Sequence, residues 1–256
     1  MRLKALLRIA AVAALALPLI PLQALAVRLG WRLACTLPVV FHRCVLALVG
    51  VSVKKVGQED RRRPLLIVAN HVSWLDIPVL GAAAPMSFIA KSEVAGWPGI
   101  GLLARLQRTF FIERQSRHKT GAAASGIGER LRQGDAMLLF AEGTTGDGIH
   151  VLPFRSALLG AARAAMNEDD TAVFVQPVAI RYVRRDGLPI GRGAMPAISW
   201  AGDLDLVPHL LGILAGGPID VVISWGEASA FDRDTDRKVL ARSMEAQVRA
   251  LAARAA

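Results

Sequence analysis

The 256-residue sequence has two cysteines, Cys35 and Cys44, both inside apolar stretches. Two thiols with no histidine at ligand spacing make neither a zinc site nor a disulfide framework, and they are consistent with a reducing compartment. Aromatic residues are 5% of the chain, which leaves the base-stacking platforms of single-strand nucleic-acid binders poorly supplied. Three sequence signatures are also missing. Without G-x-S-x-G there is no advertised nucleophile elbow. Without G-x-x-x-x-G-K-[ST] or G-x-G-x-x-G there is neither a phosphate loop nor a dinucleotide fingerprint. No internal repeat or low-complexity linker divides the chain.

Apolar residues and positive charge are abundant. Hydrophobic residues make up 53% of the sequence and charged ones 20%, with a mean hydropathy of +0.40. That balance is too apolar for an ordinary cytosolic protein and points to a lipid surface. The formal net charge is +10. Nucleic acid and anionic phospholipid head groups both suit such a charge; the scarcity of aromatics favours anionic membrane lipid, with no nucleic acid as partner.

Arg2, Lys4 and Arg8 precede an uncharged run over residues 9–27 that contains Pro18 and Pro21. The run is just long enough to span a bilayer, and it shares its basic start with a signal peptide. Arg28 and Arg32 interrupt it before a second apolar stretch, residues 33–53, holding Pro38, His42 and Arg43. Either one helix spans and the next lies on the surface, or both dip into one leaflet as a hairpin. Residues 1–53 are therefore expected to form N-terminal membrane-anchoring helices, and residues 54–256 a catalytic domain. The expected location is a bacterial inner membrane, with that domain on the cytoplasmic face.

From Pro64 onward, short apolar strand-like runs (65–69, 87–90, 109–114, 136–140, 172–180, 219–225) alternate with helix-like spacers, the fifth run broken by Pro177. The alternation predicts an α/β fold with a mainly parallel sheet flanked by helices. The chain turns on Asn70-His71-Val72-Ser73-Trp74-Leu75-Asp76. Ser73 suits the cap of a helix whose first turn holds Asp76, which leaves His71 in the loop after the first strand, where open α/β sheets bind ligands. Asp76 can turn back onto one imidazole nitrogen and leave the other to take a proton. Arg114 and Glu142-Gly143-Thr144-Thr145 close two further strands, so three polar clusters can meet in one crevice. Such a set suits attack by a substrate hydroxyl on an activated acyl group, with His71 as base and Asp76 steadying the imidazolium. Two rival readings are a basic membrane-anchored binding protein without catalysis and a lipid hydrolase with Ser73 as nucleophile.

Four blocks resemble, in order and spacing, those of the glycerolipid acyltransferases, the family that includes 1-acylglycerol-3-phosphate acyltransferase. They are Asn70-His71-x-x-x-x-Asp76, Phe111-Ile112-Glu113-Arg114, Phe140-Ala141-Glu142-Gly143-Thr144 and Val175-Gln176-Pro177-Val178. Lys91-x-Glu93 and Pro98-x-x-Gly101 are also similar, and the likeness covers about residues 64–180. The resemblance implies a catalytic pair in His71 and Asp76, and acceptor contacts from Asn70, Arg114, Glu142, Gly143 and Thr144. It places Pro177 on the acyl-donor side. It further implies a lysolipid acceptor, by family default 1-acylglycerol-3-phosphate (lysophosphatidic acid), in phospholipid biosynthesis. The co-substrate would be acyl-CoA or acyl-acyl carrier protein, with no cofactor and no metal.

Two departures bear on the acceptor. Ala141 replaces a proline of the third block, and Thr145 replaces an arginine, removing a bidentate phosphate-binding group. Arg155 could restore a cation there. Residues 142–156 look closer to the branch that acylates lyso-ornithine lipids.

Overall fold

The computed structural model describes residues 2–113, 117–163, 166, 172–202 and 204–254. Two helices come first, α1 (Arg2–Arg28) and α2 (Leu33–Val49). By length and composition α1 could cross a membrane, and only 11% of its most apolar window is buried in the protein. The second apolar stretch does not stay helical to residue 53. Gly50 ends α2 in the left-handed conformation (φ 77°), where a Cβ is disfavoured, and Val51–Val56 forms strand β1.

The remaining elements are β2 (Leu65–Ala69), α3 (Asp76–Gly81), β3 (Ser87–Lys91), α4 (Ile100–Leu106), β4 (Phe110–Ile112), α5 (Arg117–Arg132), β5 (Ala136–Phe140), α6 (Ser156–Arg163), β6 (Val173–Arg185), β7 (Leu188–Pro189), α7 (Leu206–Ala215), β8 (Ile219–Trp225), β9 (Ser229–Phe231) and α8 (Arg237–Arg254). Among the described residues, nine strands form one sheet whose main path runs β1-β8-β6-β2-β5-β3-β4. Neighbours are parallel from β6 to β4 and again for β1 with β8. β8 returns antiparallel on β6, as do the short β7 and β9.

β2 and β5 are buried at every position, because helices cover both faces of the sheet. Leu65, Ile67 and Ala69 enter one core with residues of α2, α3 and α7; Leu66 and Val68 enter the opposite core with residues of α5, α6 and α8. Each fully buried Leu or Ile here contributes about 1.5–3 kcal/mol. Period-two side-chain alternation thus serves two cores at once, which is why these runs read as continuous apolar sequence.

Pro177 does not break its strand. On one side of β6, β9 pairs residues 173–175 and β8 pairs residues 178–185. Pro177 lies at the handover between them, where a missing ladder donor is tolerated. The parallel arrangement brings the C-terminal ends of β2 and β5 side by side, with Ala69 in register with Phe140. The catalytic candidates follow those two residues.

Candidate active site

The loop after β2 is fastened on every side. The buried Asn70 side chain donates to the Ile180 carbonyl (3.0 Å) and accepts from the Ile180 N–H (2.8 Å). It thereby continues the β2–β6 ladder by one residue, and its amide is engaged there. The Gly146 N–H donates to the His71 carbonyl (2.7 Å), and the Trp200 N–H to the Val72 carbonyl (2.8 Å).

The turn that follows is held by Asp76 and not by Ser73. The helix starts at Asp76 with Leu75 in the cap position, and the carboxylate folds back to accept the N–H groups of Val72 (2.6 Å) and Ser73 (3.0 Å). The Ser73 hydroxyl is buried with no hydrogen-bond partner among the described residues. No base activates it, so the arrangement gives no support to a serine nucleophile.

The same Asp76 oxygen, Oδ2, lies 2.8 Å from His71 Nδ1. Its other oxygen, Oδ1, accepts the Tyr182 hydroxyl at 2.6 Å. A fully buried carboxylate therefore has four hydrogen-bond partners, which offset the cost of removing a charge from water. An ionised Asp76 requires the His71 proton on Nδ1, leaving Nε2 with a lone pair for a substrate. The imidazole stacks on Phe140, with centroids 3.8 Å apart and planes 13° from parallel, so its rotamer is fixed by packing as well as by the carboxylate. Its side chain keeps 17% of its surface exposed while that of Asp76 keeps none. Substrate can therefore reach the histidine and not the acid.

Tyr182 is the chain's single tyrosine, and sequence reasoning missed it because the strand was read as ending at residue 180. The available signal was alternation: Val178, Ile180 and Tyr182 all enter the core that holds Leu75 and Val79. Burial and the adjacent Asp76 charge hold its hydroxyl protonated, well above the usual tyrosine range.

Glu142 follows β5 and is buried. Burial pushes its carboxyl up to about 8, despite N–H groups from Leu152 and His71 that favour the charged form. At neutral pH it is therefore mainly the neutral acid, bracing the backbone of His71. Its Oε2 is buried with no hydrogen-bond partner among the described residues. Gly143 makes the turn after it in the left-handed conformation (φ 76°), and Thr144 beside it is exposed. The Thr145 hydroxyl donates to the Trp200 carbonyl. Arg155 is tied by its own N–H to the Ala141 carbonyl (2.8 Å) with its side chain exposed.

The structure thus gathers Asn70, His71, Asp76, Glu142 and Gly143 in the crevice beyond β2 and β5, with Thr144 at its edge. Pro177 is buried within the sheet, in register with Val68. Arg114 lies outside the described residues.

A histidine aimed by a buried acid, at the strand ends of an α/β sheet, suits transfer of an acyl group to an alcohol, and comparison with known proteins agrees. Residues 52–181 match the acyltransferase family. The chain is 53% identical to a lyso-ornithine lipid O-acyltransferase of Brucella abortus over 95% of its own length and 91% of that protein's. It is 32% identical to a 1-acyl-sn-glycerol-3-phosphate acyltransferase of Neisseria meningitidis serogroup B, covering 82% and 78% of the two chains. The crystal structure of a 1-acyl-sn-glycerophosphate acyltransferase from Thermotoga maritima superposes with a TM-score of 0.61 at 22% identity, over 86% of this chain and 79% of that one. That likeness extends to the fold. The chain belongs to the acyltransferase family.

Proposed function

We propose that this membrane-associated acyltransferase transfers a fatty acyl group from a thioester to the hydroxyl of a lyso-ornithine lipid. His71 Nε2 takes the hydroxyl proton as the oxygen bonds to the thioester carbonyl carbon. Asp76 stabilises the imidazolium through Nδ1, and the carbon–sulfur bond then breaks. The departing thiolate recovers the proton from Nε2. General-base assistance of this kind contributes roughly 10²–10⁴-fold. Acyl-CoA or acyl-acyl carrier protein is the donor, and no metal or other cofactor enters this scheme.

The observation carrying the acceptor assignment is at Thr145. Where the resemblance leads one to expect an arginine able to clasp a phosphate, this chain has a hydroxyl already bound to the Trp200 carbonyl. A phosphate-bearing acceptor loses its bidentate partner. The 53% identity to the Brucella lyso-ornithine lipid acyltransferase, against 32% to the Neisseria 1-acylglycerol-3-phosphate acyltransferase, supports the same choice over the family default. Glu142, Gly143 and Thr144 border the acceptor, Arg114 contributes the acceptor contact that the resemblance assigns to it, and Asn70 positions the loop. Pro177 acts on the acyl-donor side. Because CoA and carrier-protein thioesters are cytosolic, the catalytic domain faces the cytoplasm at a bacterial inner membrane. The whole chain's formal charge of +10 serves anionic lipid and not nucleic acid.

The test supplies membranes carrying the full chain with one labelled acyl thioester and a series of lysolipids. Lyso-ornithine lipid is expected to give the highest kcat/KM, and His71→Ala to remove at least 10²-fold of the rate while leaving the protein folded and membrane-bound. A preference for lysophosphatidic acid overturns the acceptor assignment. Turnover surviving in His71→Ala overturns the role of the histidine.

A further inference from the structure

Helix α7 carries an apolar surface that neither the fold nor the chemistry uses. Its ten residues, Leu206–Ala215, include no charged side chain. Ile213 and Leu214 are buried and Leu210 packs against the core, which accounts for one face. On the other, Val207 is 66% and Leu211 37% exposed, and Leu204 just before the helix is 48% exposed. Val207 and Leu211 are one turn apart and so share a face. A ridge of uncharged, water-facing aliphatic side chains on a catalytic domain marks a contact surface.

Two sets of bonds indicate what covers it. The first joins α7 to α1. Lys4 Nζ donates to the Gly216 carbonyl (2.7 Å), and Arg8 Nη1 to those of Leu214 (2.9 Å) and Gly216 (3.1 Å). Two cations of the N-terminal helix thus cap the last carbonyls of α7. Further along, Gln23 of α1 donates to the Leu106 carbonyl of α4 (2.8 Å). Helix α1 is therefore fastened to the catalytic domain near both of its ends. Next to Lys4 and Arg8 it exposes Leu3, Leu6 and Leu7 at 59–70%. A leaflet that receives those leucines meets the neighbouring α7 as well.

The second set joins α7 to the catalytic loop. Trp74, between His71 and Asp76, donates through Nε1 to His209 Nδ1 of α7 (3.1 Å). Trp200, whose N–H holds Val72 and whose carbonyl holds Thr145, donates through Nε1 to the Leu204 carbonyl (2.6 Å). The apolar ridge is thus hydrogen-bonded to the loop that carries His71 and Asp76.

We propose that the exposed face of α7, with Leu204, Val207 and Leu211, rests in the lipid leaflet that receives α1 and seats the mouth of the active site at the lipid surface. The arrangement lets a lysolipid reach His71 without its acyl chain crossing open water. The proposal rests on membrane association and not on which lysolipid is the acceptor, so the acceptor series above can fail while this stands.

The direct test places an environment-sensitive nitrobenzoxadiazole label at Val207→Cys in the full chain carrying Cys35→Ser and Cys44→Ser. The protein is reconstituted in phosphatidylcholine–phosphatidylglycerol vesicles. A blue-shifted emission that doxyl-labelled lipid quenches and aqueous iodide does not is the expected result. Full quenching by iodide overturns the proposal. So does shielding from iodide without doxyl quenching, which would mark a protein partner or a second copy on the ridge. As a functional arm, Val207→Asp with Leu211→Asp is expected to lower kcat/KM for acceptor in vesicles roughly tenfold. In detergent micelles the same variant should change less than about twofold. Equal effects in the two presentations overturn the proposal.

Discussion

Two aspartate–histidine pairs lie close together in this molecule and are almost equal in length. His71 and Asp76 are 2.8 Å apart, His150 and Asp147 2.9 Å. Their surroundings differ in every other respect. The Asp76 side chain is fully buried, whereas that of Asp147 is 48% exposed; His71 is 17% exposed and His150 71%. Asp76 also takes the Tyr182 hydroxyl and two N–H groups of the preceding loop. Asp147 takes the N–H groups of residues 149 and 150 in a local surface turn. Water competes for the exposed pair and screens it, so its contribution is about 0–1 kcal/mol. In the buried pair no water competes, and each hydrogen bond restricts the next. Distance alone does not make a catalytic dyad; the fixed environment of its acid does.

The largest expected effect concerns the second acid that braces the buried pair. Burial lifts Glu142 to about 8 from its ordinary 4.5. Between those values the folded chain holds a proton that the unfolded chain releases, so stability falls as pH rises through that window, by at most about 1.4 kcal/mol per pH unit. Glu142→Gln removes this dependence. Thermal unfolding of the solubilised protein from about pH 5 to about pH 8 should show a steeper fall in Tm for the parent than for the variant. Parallel curves would mean that Glu142 is ionised in the folded protein and does not sit as a neutral brace.

Next in size is Tyr182→Phe, which makes the environment of Asp76 more like that of Asp147. It leaves Asp76 Oδ1 buried without its donor, a loss of about 1–3 kcal/mol in stability. A roughly tenfold drop in kcat should accompany it, with KM for both substrates nearly unchanged, because the hydroxyl orients the acid and touches neither substrate. Steady-state kinetics separate the two parameters. A rise in KM with kcat intact would place Tyr182 in substrate binding.

The two pairs also mark what the sequence discloses. His71 and Asp76 were legible because only four residues separate them, a spacing one turn can close. Tyr182 lies 106 residues from Asp76 along the chain and reaches it only through the register of β6 on β2, which no local pattern encodes. The Ser73 cap failed for a related reason. Ser73 and Asp76 both suit a helix start, and the acid took the backbone donors while the hydroxyl was buried. Most strand runs were legible because burial on both faces makes them continuously apolar. β1 was hidden in an apolar stretch that read as helix, since Gly50 is the only local mark of the change.

The smallest expected effect is at the exposed pair. His150→Ala removes an imidazole that contacts Asp147 on the surface, while the N–H groups of residues 149 and 150 still hold the Asp147 carboxylate and keep the turn. The change should stay within about 0.5 kcal/mol in stability, and kcat/KM for acyl transfer within about twofold. The labelled-thioester assay measures the second and thermal unfolding the first. If His150→Ala instead lost tenfold or more in kcat with its Tm unchanged, the exposed histidine would share in proton transfer, and burial would no longer distinguish the two pairs.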